Sequence, residues 1–165
     1  MDPRADIWRR LRGGAFTVSV DQAFHRVIGL CADTRRDTGT WLTPAMIDAY
    51  SDLHEQGLAH SVESWHEGEL AGGVYGVALG SLFFGESMVS LVPDGSKVAL
   101  VKLAALALEA GIELIDCQVP NPHLESLGTR LMPRAEFLER VRRGVASPPE
   151  RRIAPAPPGP VPLRP

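Results

Sequence analysis

Residues 113–128, ELIDCQVPNPHLESLG, set a carboxylate, a thiol and an amide side by side and follow them with an Asn and a His. Asp116 and Gln118 stand two apart after the apolar pair Leu114-Ile115. On a β-strand, side chains two apart share a face, so the acid and the amide would project together while Cys117 points away. Two further polar sets sit at the ends of apolar runs: Glu86-Ser87 after LFFG, and Asn121 with His123. Element ends are where binding and catalytic groups collect. Each set also has a plainer role. Glu86 suits a surface turn, Asp116 and Gln118 suit backbone partners, Asn121 suits a helix N-cap before Pro122, and His123 suits a surface position. Taken together, with a glycine-rich strand and the apolar Phe83, Met88 and Leu100, they outline an apolar pocket with polar walls.

Other chemistries find less support. No His, Cys, Asp or Glu set has ligand spacing, so no metal is expected. A nucleophile triad is disfavoured because Cys117 follows the pleat away from Asp116 and Gln118. No glycine loop opens a helix in the manner of a phosphate site. Cys31 and Cys117 form neither a disulfide framework nor a metal spacing, and read as reduced core thiols.

The elements that would position these residues follow from periodicity and punctuation. FTVSV (16–20) alternates as a strand, and Asp21 then caps a helix with Phe24, Val27, Ile28 and Cys31 on one face. Thr43-Pro44 starts a second helix carrying Met46, Tyr50 and Leu53, stopped by Gly57. Residues 60–90 read as three consecutive strands with reversals at HEGE and near Gly80-Ser81. Glycines in 72–80 leave the middle strand open to close approach by a backbone or a ligand. Ser96 caps a helix ending at Gly111, and residues 112–119 form a strand buried on both sides. Asn121-Pro122 opens a short helix, TRLMP reads as a strand and AEFLERVRR as a last helix. The order is β-α-α-β-β-β-α-β-α-β-α, a mixed α+β sheet with helices on its faces.

Composition bounds the rest. The chain has 165 residues, 44% hydrophobic and 22% charged, with formal net charge −3. That balance exerts no global pull on nucleic acid or anionic membrane, although basic residues cluster in 7–12 and 140–144. No apolar run reaches membrane-span length and the first residues lack a signal peptide's apolar stretch, so no membrane partner is expected and the cytoplasm is the simplest location. Residues 147–165 hold eight of the 14 prolines and read as a disordered tail. The domain reading is a basic segment over 1–15, a folded domain over 16–146 and the tail.

The blocks HSVESWHEGELAGGVYGVALGSLFFGESMVS, SKVAL and IELIDCQVPNPHLESLG, extended back through GTW and AYSDLHEQGLAHSVE, resemble leucyl/phenylalanyl-tRNA–protein transferases over residues 16–142. The resemblance implies a GNAT-like, mostly antiparallel sheet, and transfer of Leu, Phe or Met from aminoacyl-tRNA to a protein N-terminus beginning with Arg or Lys. It implies no cofactor, and the chain lacks the R/Q-x-x-G-x-G/A loop that would hold coenzyme A. It assigns Asp116 to polarise the Gln118 amide, whose carbonyl draws a proton from the acceptor ammonium, and Glu86 to hold an acceptor cation. It gives Val74, Phe83, Met88, Leu100, Leu103 and Ile115 to the aminoacyl pocket. Trp41, with Tyr50 near it, would stack on the terminal adenosine, and Ser96, Asn121 and His123 would serve the substrate side. Family members carry a further N-terminal domain and a basic patch, which this chain is expected to lack except for Arg4, Arg9, Arg10 and Arg12. Three readings stay open: transfer to protein N-termini, transfer to a small-molecule amine, and a non-catalytic or partner-dependent binding protein.

Overall fold

The computed structural model describes residues 13–34, 39, 41–148 and 152–161. Arg4, Arg9, Arg10 and Arg12 lie outside the described residues, as does most of the expected basic segment. The elements run β1 (Phe16–Val20), α1 (Phe24–Asp33), α2 (Pro44–Glu55), β2 (Ala59–His66), β3 (Glu69–Leu79), β4 (Leu82–Ser90), α3 (Gly95–Ala110), β5 (Leu114–Asp116), α4 (Pro122–Ser126), α5 (Arg134–Ala146) and β6 (Ala156–Pro160). They build one six-stranded sheet in the order β5-β4-β3-β2-β1-β6. All pairs are antiparallel except β4 with β5. The mixed, mostly antiparallel α+β fold is the expected one.

Among the described residues, the two larger of three clusters of core side chains flank the sheet. One gathers Phe24, Val27, Ile28 and Cys31 of α1 with Tyr75 and Val89, and Met46, Tyr50 and Leu53 of α2 pack against it. The other joins α3 to the strands through Val62, Val74, Phe83, Ala99 and Leu103. The apolar stripes read from the sequence are therefore the faces that meet the sheet.

Gly72 of β3 makes room for a backbone. A Cβ on Gly72 would stand 2.5 Å from the Gly95 carbonyl carbon and 2.6 Å from the Ser96 nitrogen, so the start of α3 rests directly on the strand. Ser64 Oγ donates to the Gly95 carbonyl at 2.8 Å across the same contact. A buried carboxylate ties the other half together. Glu63 is fully enclosed and accepts from the Ser19 and Ser61 hydroxyls and from the Ala23 N–H, linking β1, β2 and the start of α1. Trp65 Nε1–H donates to Ser19 Oγ at 2.7 Å. A buried carboxyl group is tolerable only with such a full set of partners.

Several local expectations are corrected. Asp21 does not cap α1, whose N-cap is Ala23. It takes a left-handed conformation, and its carboxylate accepts the Ser61 N–H and meets His60 Nδ1, each at 2.8 Å. Ser96 does not cap α3 either. Asp94, left-handed at φ 69, is the cap residue, and the Ser96 N–H is met by Ser90 Oγ at 2.8 Å. The strand expected over 112–119 is only three residues long, half-exposed, and sits at the sheet edge. TRLMP forms no strand. The proline-rich segment expected to be disordered pairs with β1 through β6, and Val161 beyond it is 7% exposed. Proline is compatible with an edge strand because its missing N–H costs nothing on the side facing solvent.

Gly72→Ala should destabilise the fold by about 1–3 kcal/mol, the range for overpacking, and lower the urea midpoint without changing the slope. An unchanged midpoint would mean that α3 does not rest on β3 as described.

Candidate active site

β4 and β5 run together for three residues only. Leu82, Phe83 and Phe84 pair with Leu114, Ile115 and Asp116, and there the pairing stops. On its other side β4 carries a bulge: Gly85 faces Gly76 and Ser87 faces Tyr75, leaving Glu86 with no residue opposite it on β3. A bulge re-aims the side chain it carries. Glu86 therefore sits in the bulge on the β3 side, two residues past the last pair with β5.

The chain of β5 turns away at the same level. Gln118 is left-handed at φ 62, and its N–H donates to Asp116 Oδ1 at 2.8 Å. This is an Asx-type turn, in which an acid satisfies the backbone two residues on. The expectation that Asp116 and Gln118 share a strand face is thus corrected: the strand ends at Asp116, and the acid holds the amide residue through its backbone. The Gln118 side chain turns instead to Glu86, donating from Nε2 to Oε2 at 3.3 Å. Glu86 lies two residues past Phe84, and Gln118 two residues past Asp116, its pairing partner. A side-chain bridge thus spans the gap where the backbone ladder would have continued.

Tyr50 of α2 completes this group. Burial, then a hydrogen bond to Glu86 and the charge of that carboxylate, push its phenol up to about 12, so it stays a donor to Glu86 at neutral pH. Trp41, 42% exposed, lies edge-on to Tyr50 with ring centroids 6.4 Å apart. An exposed indole face thus stands one ring away from the tyrosine that holds Glu86. The burial of the Cys117 thiol and the charge of Asp116 both raise its pKa, which leaves it protonated and poorly nucleophilic.

The six residues expected to line an apolar pocket belong to one cluster. Val74, Phe83 and Leu103 are buried members of it, with Met88, Leu100 and Ile115 packed around them. Only these last three have surface to offer a ligand. Ser96 is 4% exposed and bonded to Ser90, so it stabilises the α3 start. Asn121 caps α4, its side-chain oxygen accepting the Leu124 N–H at 2.9 Å. His123 Nε2 is enclosed without a hydrogen-bond partner among the described residues. Burial, reinforced by Lys97 and opposed by Asp94, lowers its pKa, so the ring is neutral at pH 7. Sequence reasoning missed Glu63. Its signal was a Glu between Val62 and Ser64, with Ser61 two residues before it, inside a strand.

A family model described as leucyl/phenylalanyl-tRNA protein transferase matches residues 2–142. The chain belongs to the leucyl/phenylalanyl-tRNA protein transferase family. Proteins of that name from Chromohalobacter salexigens and Anaeromyxobacter sp. are 53% and 50% identical, over 94% and 90% of this chain. The chain spans only 61% and 66% of those two relatives' lengths. Among solved structures, a probable acetyltransferase aligns with TM-score 0.55 at 12% identity, covering 72% of this chain and 91% of that one. A Trypanosoma brucei acetyltransferase aligns with TM-score 0.51 at 15% identity, over 72% and 95%. These likenesses show the acetyltransferase-type fold of this transferase-family chain, GNAT-like as the resemblance implied. No described helix is long and apolar enough to cross a membrane.

Cys117 should alkylate more slowly at pH 8 than a free cysteine, and Asp116→Asn should accelerate it by removing the adjacent charge. Mass spectrometry of iodoacetamide-treated protein reads this directly. An equal rate in the variant would separate the thiol from the Asp116 carboxylate.

Proposed function

We propose that this chain transfers Leu, Phe or Met from aminoacyl-tRNA to the α-amine of a protein beginning with Arg or Lys. What supports the reading is the Glu86–Gln118 bridge at the parting of β4 and β5, with Trp41 beside it. The donor is an ester, so amide formation needs no further energy source and no cofactor. The site has to align the amine with the ester carbon and balance charge. The amine nitrogen forms the new bond to that carbon, the bond to the ribose oxygen breaks, and an amine proton passes to the departing oxygen.

Each residue takes a part set by its surroundings. With Nε2 engaged by Glu86, the Gln118 carbonyl is left to receive a hydrogen bond from the amine. Asp116 fixes Gln118 through its backbone, in place of polarising the amide directly. Glu86 faces the acceptor's cationic side chain. A free α-amine titrates near 8, so a useful fraction is unprotonated at pH 7 without a strong base. The half-buried rim of Met88, Leu100 and Ile115 takes the apolar side chain. Such a surface separates ligands by only about 1–3 kcal/mol per methylene, which fits a choice among several apolar amino acids. Trp41 stacks on the terminal adenosine. Asn121 and His123 shape the loop after β5 on the tRNA side. The reaction belongs in the cytoplasm, where charged tRNA is made.

The test is transfer of radiolabelled Leu, Phe and Met from purified charged tRNAs to an Arg-started peptide. Label on the peptide is expected, and label only on a small amine, or none, would overturn the reading. Trp41→Ala should weaken aminoacyl-tRNA binding by about 1–3 kcal/mol, the worth of one base–aromatic stack. Asp116→Ala should cut transfer at least about tenfold, the factor for roughly 1.4 kcal/mol, with donor binding little changed.

A further inference from the structure

A cleft of about 650 Å³ runs from Asp116 and Gln118 to the first turns of α5. One side is residues 114–120, and the other is drawn from 124–137. Its volume is in the range of about 300–1,000 Å³ usual for ligand sites. Only Ile115 of the six aminoacyl-pocket residues lines it. Three features describe what it would hold. β5 is the outermost strand and has a strand partner on one side alone, so its outer edge offers main-chain donors and acceptors. Large apolar side chains stand open to solvent there, Val119 at 70% and Leu131 at 81% exposed, with Phe137 also in the lining. At the end shared with the candidate active site, Asp116 lines the cleft, and Gln118 reaches from it to Glu86.

We infer that this cleft receives the residues of the acceptor polypeptide that follow its N-terminal one, laid extended along β5 with apolar side chains toward Val119 and Leu131. The inference rests on the proposed transfer to protein N-termini and says where the rest of that acceptor goes. An open strand edge bordered by apolar side chains is the surface on which extended peptides are read, main chain for affinity and alternate side chains for specificity. The charge runs the same way: an N-terminal Arg or Lys carries two positive charges, and the acids Glu86 and Asp116 stand where they would lie. Arg130 and Arg134, on the other side, are donors for peptide carbonyls. Nucleic acid fits less well. The described lining has one aromatic ring, Phe137, whereas single-stranded RNA is held by stacking platforms along a basic groove.

The experiment measures fluorescence anisotropy of two dye-labelled hexapeptides with the same first residue, Arg-Val-Leu-Phe-Gly-Ser and Arg-Gly-Ser-Gly-Gly-Ser. The protein should bind the apolar peptide at least fivefold more tightly, and Leu131→Asp and Val119→Asp should each remove most of that difference. Both positions are exposed, so the variants should fold, and circular dichroism checks this. Binding of an aminoacylated RNA minihelix should be unaffected by either change. Equal binding of the two peptides, an equal loss for both in the variants, or weakened minihelix binding would each overturn the inference. Peptide discrimination with no aminoacyl transfer would support the cleft assignment while refuting the transfer reading.

Discussion

Two strands that begin as neighbours and then separate organise everything around the candidate site. β4 and β5 share three paired residues, and past Phe84 and Asp116 the ladder is open. Backbone at such a split must find other partners or meet solvent. Here the bulge at Glu86 turns one strand aside, and the Asp116–Gln118 turn ends the other. The Gln118 amide then bridges to the Glu86 carboxylate at 3.3 Å. The left-handed conformation of Gln118 costs about 1–2 kcal/mol for a residue with a Cβ. Its N–H bond to Asp116 offsets part of that.

The rest of the fold keeps this opening in place. Tyr50 reaches Glu86 from α2, and its ring packs on Tyr75 at 5.4 Å. α2 itself is seated on the cluster that α1 forms with the sheet. On the side of α3, close contact with Gly72 and the Ser90–Ser96 bonds fix the helix start. Buried Glu63 locks β1, β2 and α1 through three donors. Carboxylates thus appear in two states. Glu63 is saturated with donors and structural, while Glu86 lies half-buried at a gap, held by Gln118 and Tyr50.

Much of this was legible in the residues. Thr43-Pro44, HEGE, Gly111 and Asn121-Pro122 carry local signals that the structure follows, because caps and tight turns are decided by a few adjacent residues. The stripe of Phe24, Val27, Ile28 and Cys31 faces the core as its spacing required. What was not legible depends on partners distant in the chain. The bulge at Glu86 exists only in the register of β4 against β3. Gln118 is neither Gly nor Asn, so nothing local announced its left-handed turn. Asp116-Cys117-Gln118 looked like a strand because a strand was assumed to continue. Asp21 and Ser96 carry the right residue types for caps, but tertiary partners claim them for other bonds. The proline-rich end read as disordered because its composition cannot bury a core face, yet an edge strand asks for little burial.

If Glu86 acts on the reaction through Gln118, across the open end of the ladder, the two side chains should behave as one group. A double-mutant cycle on the rate of transfer to an Arg-started peptide tests it most directly, using Glu86→Gln, Gln118→Ala and the pair together. If the two side chains work as a unit, the double variant will be no slower than about the slower single one, since coupled residues are strongly non-additive. Losses that multiply would show two independent groups, and the bridge would then have no part in catalysis.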